Sequence, residues 1–249
     1  MTTSKSIYMF HAIGSRVSLQ GCDLHYSYSK ERFLEFITDC ESVTSLQKAL
    51  NGAAEASVIT FDDGHLSNFD AAITIKEVVD GSADFFVNPN MVGKKHFMDW
   101  QQIREIHDMG MSIQSHSLDH VYLSDLSYDQ QKIQLLHSKE FIEDKIGSEV
   151  VILAPPGGRY NQDTIEICQD IGYQHISVSS PGKWSQGYLS NRISVLHNTA
   201  VDDLIGCQKK RSWYLTKQVF KYHVTGTAKK VLGNDRYDEI RSRLLSAQI

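Results

Sequence analysis

Short apolar runs alternate with longer stretches of helical period along most of the chain. Ile7–Phe10 is a continuous apolar run and predicts a buried strand. Lys30 to Asp39 sets Phe33, Phe36 and Ile37 on one helical face behind Ser29, a residue type suited to an N-cap. Ser57–Phe61 predicts a strand stopped by the turn Asp62-Asp63-Gly64, and a helix follows over about Ser67–Val79. The alternation then repeats. Asp84–Val87 reads as a strand closed by Asn88-Pro89-Asn90, and His96 to Met109 as a helix ended by Gly110. Met111 to Ser115 predicts a strand, and Ser127 to Ile146 a long helix before Gly147. Val150 to Leu153 predicts a strand running into Pro155-Pro156-Gly157-Gly158, and Thr164 to Ile171 a helix closed by Gly172. Strands near His175–Val178 and Ile193 to Leu196 complete the series. Strand–helix alternation at this spacing predicts an α/β fold with a parallel sheet, open or closed into a barrel. In both forms chemistry gathers at the carboxyl ends of the strands.

A chain of 249 residues with 41% apolar content builds one sizeable core and is neither disordered nor fibrous. Charge divides it more sharply than length does. The first 205 residues hold 15 cations and 27 acids, a net of −12, whereas from Gly206 onward ten cations face three acids, a net of +7. The overall charge of −5 is no footprint for nucleic acid, which the acidic body would repel. Cys22, Cys40, Cys168 and Cys207 are far apart with no C-x-x-C spacing, which excludes a zinc finger or disulfide framework and fits a reducing compartment. The opening MTTSKSIYMFHAIG lacks a long apolar core, and no apolar run approaches the ~20 residues of a spanning helix. A cytoplasmic protein is therefore expected. It divides into a catalytic unit over residues 1–205 and a basic helical extension over 206–249.

The unusual polar residues fall where strands are predicted to end. Asp62 and Asp63 follow one strand, His116 and His120 another, and His197 a third, so a parallel sheet brings all five to one mouth. Two imidazoles four residues apart plus a carboxylate make a His₂Asp set for one cation, with positions left for water and a substrate oxygen. Such a cation polarises a carbonyl and acidifies water. A second carboxylate accepts the proton, and a remote histidine protonates a leaving group. Each signal alone has a plain structural counterpart: an Asp-Asp-Gly turn, a chance histidine pair, a surface histidine. Their combination points to metal-assisted hydrolysis.

Thr60-Phe61-Asp62-Asp63-Gly64 resembles the first motif of the polysaccharide deacetylases, also called NodB-homology or carbohydrate esterase family 4 enzymes, and His116-Ser117-Leu118-Asp119-His120 resembles their second. In motif order the resemblance runs from about Ile7 to Asp203. It implies a distorted (β/α) barrel of the polysaccharide deacetylase type, here with a C-terminal helical tail. It also implies metal-dependent removal of an N-acyl group, usually N-acetyl, from an amino sugar of a surface polysaccharide or its precursor. By the same resemblance Asp62 is the general base, and Asp63, His116 and His120 hold the metal. Family members commonly use Zn²⁺, and some accept Co²⁺, Ni²⁺ or Mn²⁺. Ile193-Ser194-Val195-Leu196-His197 resembles the late motif that supplies the general acid, here His197. Met9-Phe10-His11 resembles the family's opening Tyr-His, so His11 lines the pocket or packs in the core.

The third motif departs from its usual R-x-P-[FY]-G. The segment here is Ala154-Pro155-Pro156-Gly157-Gly158, so the arginine that normally holds the base is Ala154 and the aromatic is Gly157. Gly157 still offers a backbone N–H for an oxyanion hole. Arg159 and Arg192 are the two candidates to replace the lost guanidinium. The fourth motif, Asp then Trp, has only Trp184 as a loose match.

The basic tail carries Trp213, Tyr214, Phe220, Tyr222 and Tyr237 among its cations, with Leu215, Val219, Ile240, Leu244 and Leu245 at helical spacing. It packs on the barrel, or it lies on a membrane and brings the enzyme to a lipid-linked sugar, at the inner face of the cell membrane. Three functions compete: an N-deacetylase, a related amidohydrolase for a non-sugar amide, and a glycan-binding homologue without turnover.

Overall fold

The computed structural model describes residues 6–15, 19–52, 56–184, 187–208 and 212–232, with side chains of the last segment through Val224. The amino-terminal half contains β1 (Ile7–Phe10), β2 (Ala12–Ile13), β3 (Ser27–Tyr28), α1 (Lys30–Thr38), β4 (Val43–Thr44), α2 (Leu46–Leu50), β5 (Ser57–Phe61) and α3 (Ser67–Val79). There follow β6 (Asp84–Val87), α4 (Trp100–Asp108), β7 (Ser112–Ser115), α5 (Tyr128–Ile146), β8 (Ile152–Leu153) and α6 (Gln162–Asp170). The chain continues through β9 (His175–Val178), β10 (Leu189–Asn191), β11 (Ile193–Ser194), α7 (Val201–Gln208) and α8 (Trp213–Leu232).

The main sheet is parallel throughout, in the order β10-β9-β8-β7-β6-β5-β1-β11, with β4 added on β5. Its two ends are nearly the same piece of chain. β10 and β11 are separated only by Arg192; Asn191 registers with Val178 of β9, and Ile193 with Tyr8 of β1. One bent strand therefore pairs with both edges and nearly closes the sheet into the expected (β/α) barrel.

Period-two alternation along the strands sorts the core into two layers. Tyr8, Phe10, Ile59, Phe61 and Phe85 face the helices, and Ile7, Val58, Phe86 and Ile152 form a second cluster inside the barrel. In the outer layer Phe10 meets Tyr28, Phe33, Phe36 and Phe61, and Phe61 stacks on Phe85 at 4.8 Å. Each such ring contributes about 1.5–3 kcal/mol of burial. Ser29 caps α1 by accepting from Arg32 N–H, as its position predicts, and Ser127 caps α5 in a capping box with Gln130.

Several expected boundaries shift for physical reasons. The helix expected from His96 begins at Trp100, because Asp99 and Gln102 form a capping box there and His96 takes a left-handed φ of 75°. The strand expected over Val150 to Leu153 pairs only through Ile152–Leu153. The strand expected to reach Leu196 ends at Ser194: Val195 N–H still donates to Met9, but Leu196 N–H turns to the Thr199 hydroxyl. The short β2, β3, β4, α2 and β10 carry too few residues for a period to show.

The division at 205/206 falls inside α7, whose only charged residues are Asp202 and Asp203; the first cations after it, Lys209, Lys210 and Arg211, lie outside the described residues. Beyond it α8 packs back on the barrel: Tyr214 Oη bonds Thr199 Oγ1 at 2.8 Å, and Gln218 Nε2 donates to Ser194 O at 2.8 Å. Tyr237, Ile240, Leu244 and Leu245 lie outside the described residues. Among the described residues no helix is long and apolar enough to cross a membrane.

Candidate active site

Asp62 and Asp63 leave the end of β5 in opposite directions because the chain turns sharply there. Asp63 and Gly64 both take left-handed φ, 73° and 69°. Asp tolerates that region better than most residues, and such strain of order 1–3 kcal/mol collects at functional sites. The loop after β7 repeats the device, with Ser117 at φ 62° and His120 at φ 59°. Asn88 ties it down by donating to the carbonyls of His116 and Ser117. Asp119 accepts from Asn90 and Gln134.

These turns bring Asp63, His116 and His120 together, with one ligand atom from each within 4.8 Å of the others. His116 Nε2 lies 3.2 Å and His120 Nε2 3.1 Å from the same Asp63 Oδ1. His116 Nδ1 is 2.7 Å from the Ala154 carbonyl, which only accepts, so Nδ1 carries the proton. In its neutral tautomer His116 would turn the Nε2 lone pair toward this buried carboxylate oxygen, which has no hydrogen-bond partner of its own. In that tautomer two acceptors face each other, an arrangement that a cation between them would reconcile. The donor set of two imidazoles and a carboxylate suits a divalent metal, and the Ala154 carbonyl orients its histidine.

Asp62 points inward and is held differently. Its oxygens receive Arg192 Nη1 at 2.6 Å and Nη2 at 2.8 Å, a two-pronged pair from a fully buried guanidinium. Arg192 also reaches Thr60 Oγ1 at 3.2 Å and Val178 O at 3.4 Å, and lies over the Phe86 ring. Burial raises the Asp62 carboxyl, but Arg192 together with the neighbouring imidazoles of His116 and His11 brings the group below its ordinary range. The guanidinium missing at Ala154 therefore arrives from Arg192, on the strand that closes the barrel.

Arg159, the other candidate, is engaged elsewhere: it stacks on Tyr122 at 3.9 Å and lies 3.9 Å from Asp125. Gly157 is at φ 59°, and a Cβ there would meet the Tyr122 ring at 2.8 Å. Tyr122, two residues past His120, thus occupies space beside the turn from which the motif's aromatic is missing. Gly158 and Arg159 N–H groups close the turn onto Pro155 and Pro156, while the Gly157 N–H meets no backbone carbonyl among the described residues.

The remaining expectations divide. His11 follows β1 with its ring 4.6 Å from Tyr26, and its charge acts on both Asp62 and Asp63, so it borders the pair. His197 is held on another flank: its N–H donates to His25 O at 3.1 Å, Nδ1 is 3.4 Å from that oxygen, and the rings are 5.5 Å apart. Its hydrogen bonds and ring contact among the described residues include no carboxylate. Trp184 is not at the mouth. It is buried against His175, the first residue of β9, at the amino ends of the strands, so it supplies no fourth motif. Arg192 and Tyr122 are what sequence reasoning leaves unresolved or misses; for Tyr122 the only signal was its closeness to His120.

The chain is similar to several known proteins. The polysaccharide deacetylase family model matches residues 50–176. YxkH of Bacillus subtilis (strain 168) is 29% identical over 196 residues, spanning 76% of this chain and 70% of its own. A peptidoglycan-N-acetylglucosamine deacetylase of Bacillus cereus is 25% identical over 152 residues, 59% of this chain and 69% of that one. The Streptococcus pyogenes deacetylase PplD, solved in complex with acetate, superposes with a TM-score of 0.74 at 25% identity, over 84% of this chain and all of that one. The match covers the turn after β5 and the loop after β7 that form the site, and the chain belongs to the polysaccharide deacetylase family.

Proposed function

We propose that the protein is a metal-dependent N-deacetylase that removes an acetyl group from an amino sugar of a surface glycan or of its lipid-linked precursor. The observation that carries this reading is the convergence of one ligand atom each from Asp63, His116 and His120 to within 4.8 Å of one another, beside a second carboxylate paired with Arg192. Asp63, His116 and His120 hold the cation, Zn²⁺ first and Co²⁺, Ni²⁺ or Mn²⁺ as alternatives. Bound there, it supplies Lewis-acid polarisation of the acyl oxygen and acidifies water.

The chain's own groups do the rest. Asp62 accepts a proton from water as the oxygen attacks the acyl carbon, and Arg192 keeps that carboxylate charged and oriented. The Gly157 N–H donates to the oxygen that becomes negative. His197 donates a proton to the amide nitrogen as the C–N bond breaks, which releases acetate and the free amino sugar. The catalytic unit spans residues 1–205, and residues 206–249 are an appended basic element. Four free cysteines support a reducing location, the cytoplasm or the inner face of the cell membrane.

The test is acetate release from a panel of N-acetylated oligosaccharides by the native, metal-stripped and Asp62→Asn proteins. Release that disappears in both treated samples is expected. Release that survives either treatment overturns the mechanism. Metal binding without acetate release from any glycan moves the assignment to a non-sugar amide, a reading to which the altered third motif lends support.

A further inference from the structure

The outer face of α8 carries large apolar side chains in the open, a composition unusual for a solvent face. Trp213 is 75% exposed and Phe220 71%, with Val224 also exposed. At 100° per residue these three lie within an arc of about 40°, and Lys217 falls at its edge with Lys221 next to it. The opposite face is fixed. Tyr214 and Leu215 pack on the core, Tyr214 and Gln218 bond Ser194 O, and Tyr222 Oη is 3.4 Å from Ser180 Oγ. The aromatic stripe is therefore presented by an anchored helix.

Charge selects the partner. The tail carries +7 on a chain whose first 205 residues carry −12, and Lys209, Lys210 and Arg211 directly precede the helix in sequence. An anionic surface attracts this face and repels the remainder, which defines one orientation. Aromatic rings interleaved with lysines along a helix match the boundary between acyl chains and headgroups, where rings enter the apolar layer and ammonium groups stay with phosphates. An acidic protein partner would satisfy the lysines but not the rings.

We infer that the Trp213–Phe220–Val224 face of α8 seats the protein on an anionic lipid bilayer. Ser194 ends β11 and Ser180 lies two residues beyond β9, so the helix borders the carboxyl end of the barrel, the end that holds Asp62 and Asp63. Binding itself does not need the deacetylase reading. The consequence, that the substrate is a glycan held close to a membrane, rests on it.

The experiment is co-sedimentation of the full chain with phosphatidylcholine vesicles, with and without phosphatidylglycerol, alongside iodide quenching of tryptophan and light scattering. Binding only to the vesicles containing phosphatidylglycerol is expected, weakening with salt and protecting a fluorophore that Trp213→Phe removes. Trp213→Ala with Phe220→Ala should weaken it about tenfold or more. Lys217→Glu with Lys221→Glu should abolish the preference for anionic lipid. All variants should release acetate from a soluble substrate like the native chain, so loss of vesicle binding is separable from failure of the enzymatic assignment. Three results would overturn the inference: no vesicle binding by a folded native chain, a Trp213 already shielded without lipid, or a dimer that the Trp213 and Phe220 substitutions dissolve.

Discussion

The two flanks of the barrel mouth are built to different standards. On one, Asp62 is clamped by the two prongs of Arg192 inside the barrel, and Asp63, itself in a left-handed turn, sits between His116 and His120. On the other, half-buried His197 leans on a single backbone carbonyl and the ring of His25. On the proposed mechanism the difference fits what each flank would have to do. A cation and a base need fixed charges in fixed places, and burying charges demands complete pairing. A proton donor to a departing nitrogen meets its partner only when substrate is bound. Rigidity is concentrated where electrostatics would otherwise destabilise the fold.

The strongest way to break that contrast is to remove the clamp. Arg192→Met leaves Asp62 buried without its counter-charge and should cost about 3–5 kcal/mol of stability, read by urea unfolding, together with nearly all acetate release. A stable, active Arg192→Met protein would show that the clamp is ornamental. On the opposite flank, His197→Gln should lower kcat about 100-fold while changing stability by less than about 1 kcal/mol and leaving metal content intact. Loss of metal in that variant would mean the flanks are not separate. Gly157→Ala sharpens the comparison between them. Its left-handed φ costs about 1–2 kcal/mol, the Tyr122 contact adds to that, and Tyr122→Ala in the same background should return only the steric part.

The smallest effect serves as a baseline, from the barrel floor. Burial pushes His175 down from 6.5 to about 4, so its contribution to stability is present above pH 6.5 and lost as pH falls through 4. Burial pushes Asp84 up from 3.8 to about 6, so its contribution is full below pH 3.8 and lost as pH rises through 6. Each is worth about 3 kcal/mol and they oppose, so native stability should vary little between pH 6.5 and 4 on their account. His175→Phe should unmask the Asp84 slope, with stability rising as pH falls, measured by thermal unfolding across that range.

Most of the barrel was legible because its strands and helices have different periods and its helix ends carry caps, Ser29 and Ser127 among them. The start of α4 was not, since the apolar spacing through Phe97 and Met98 mimics a helix that only the Asp99–Gln102 box interrupts. Among site residues, the Asp63, His116 and His120 cluster could be read because its members lie in two short strings. Arg192 could only be narrowed to one of two, because its meeting with Asp62 spans 130 positions and depends on barrel closure. Tyr122 escaped because an aromatic in a loop carries no signal until a glycine opposite makes room for it.

The seam strand has a consequence for reading relatives of this chain. Scored letter by letter, its third motif has lost an arginine and an aromatic, and an inventory kept by alignment column would file it among the inactive. Measured in space, a guanidinium does stand against Asp62, delivered from a different part of the polypeptide. Arg192 stands between the two pairings that close the barrel, so parting the seam there would release Asp62. Bookkeeping for such proteins belongs to atoms in place, not to letters in register.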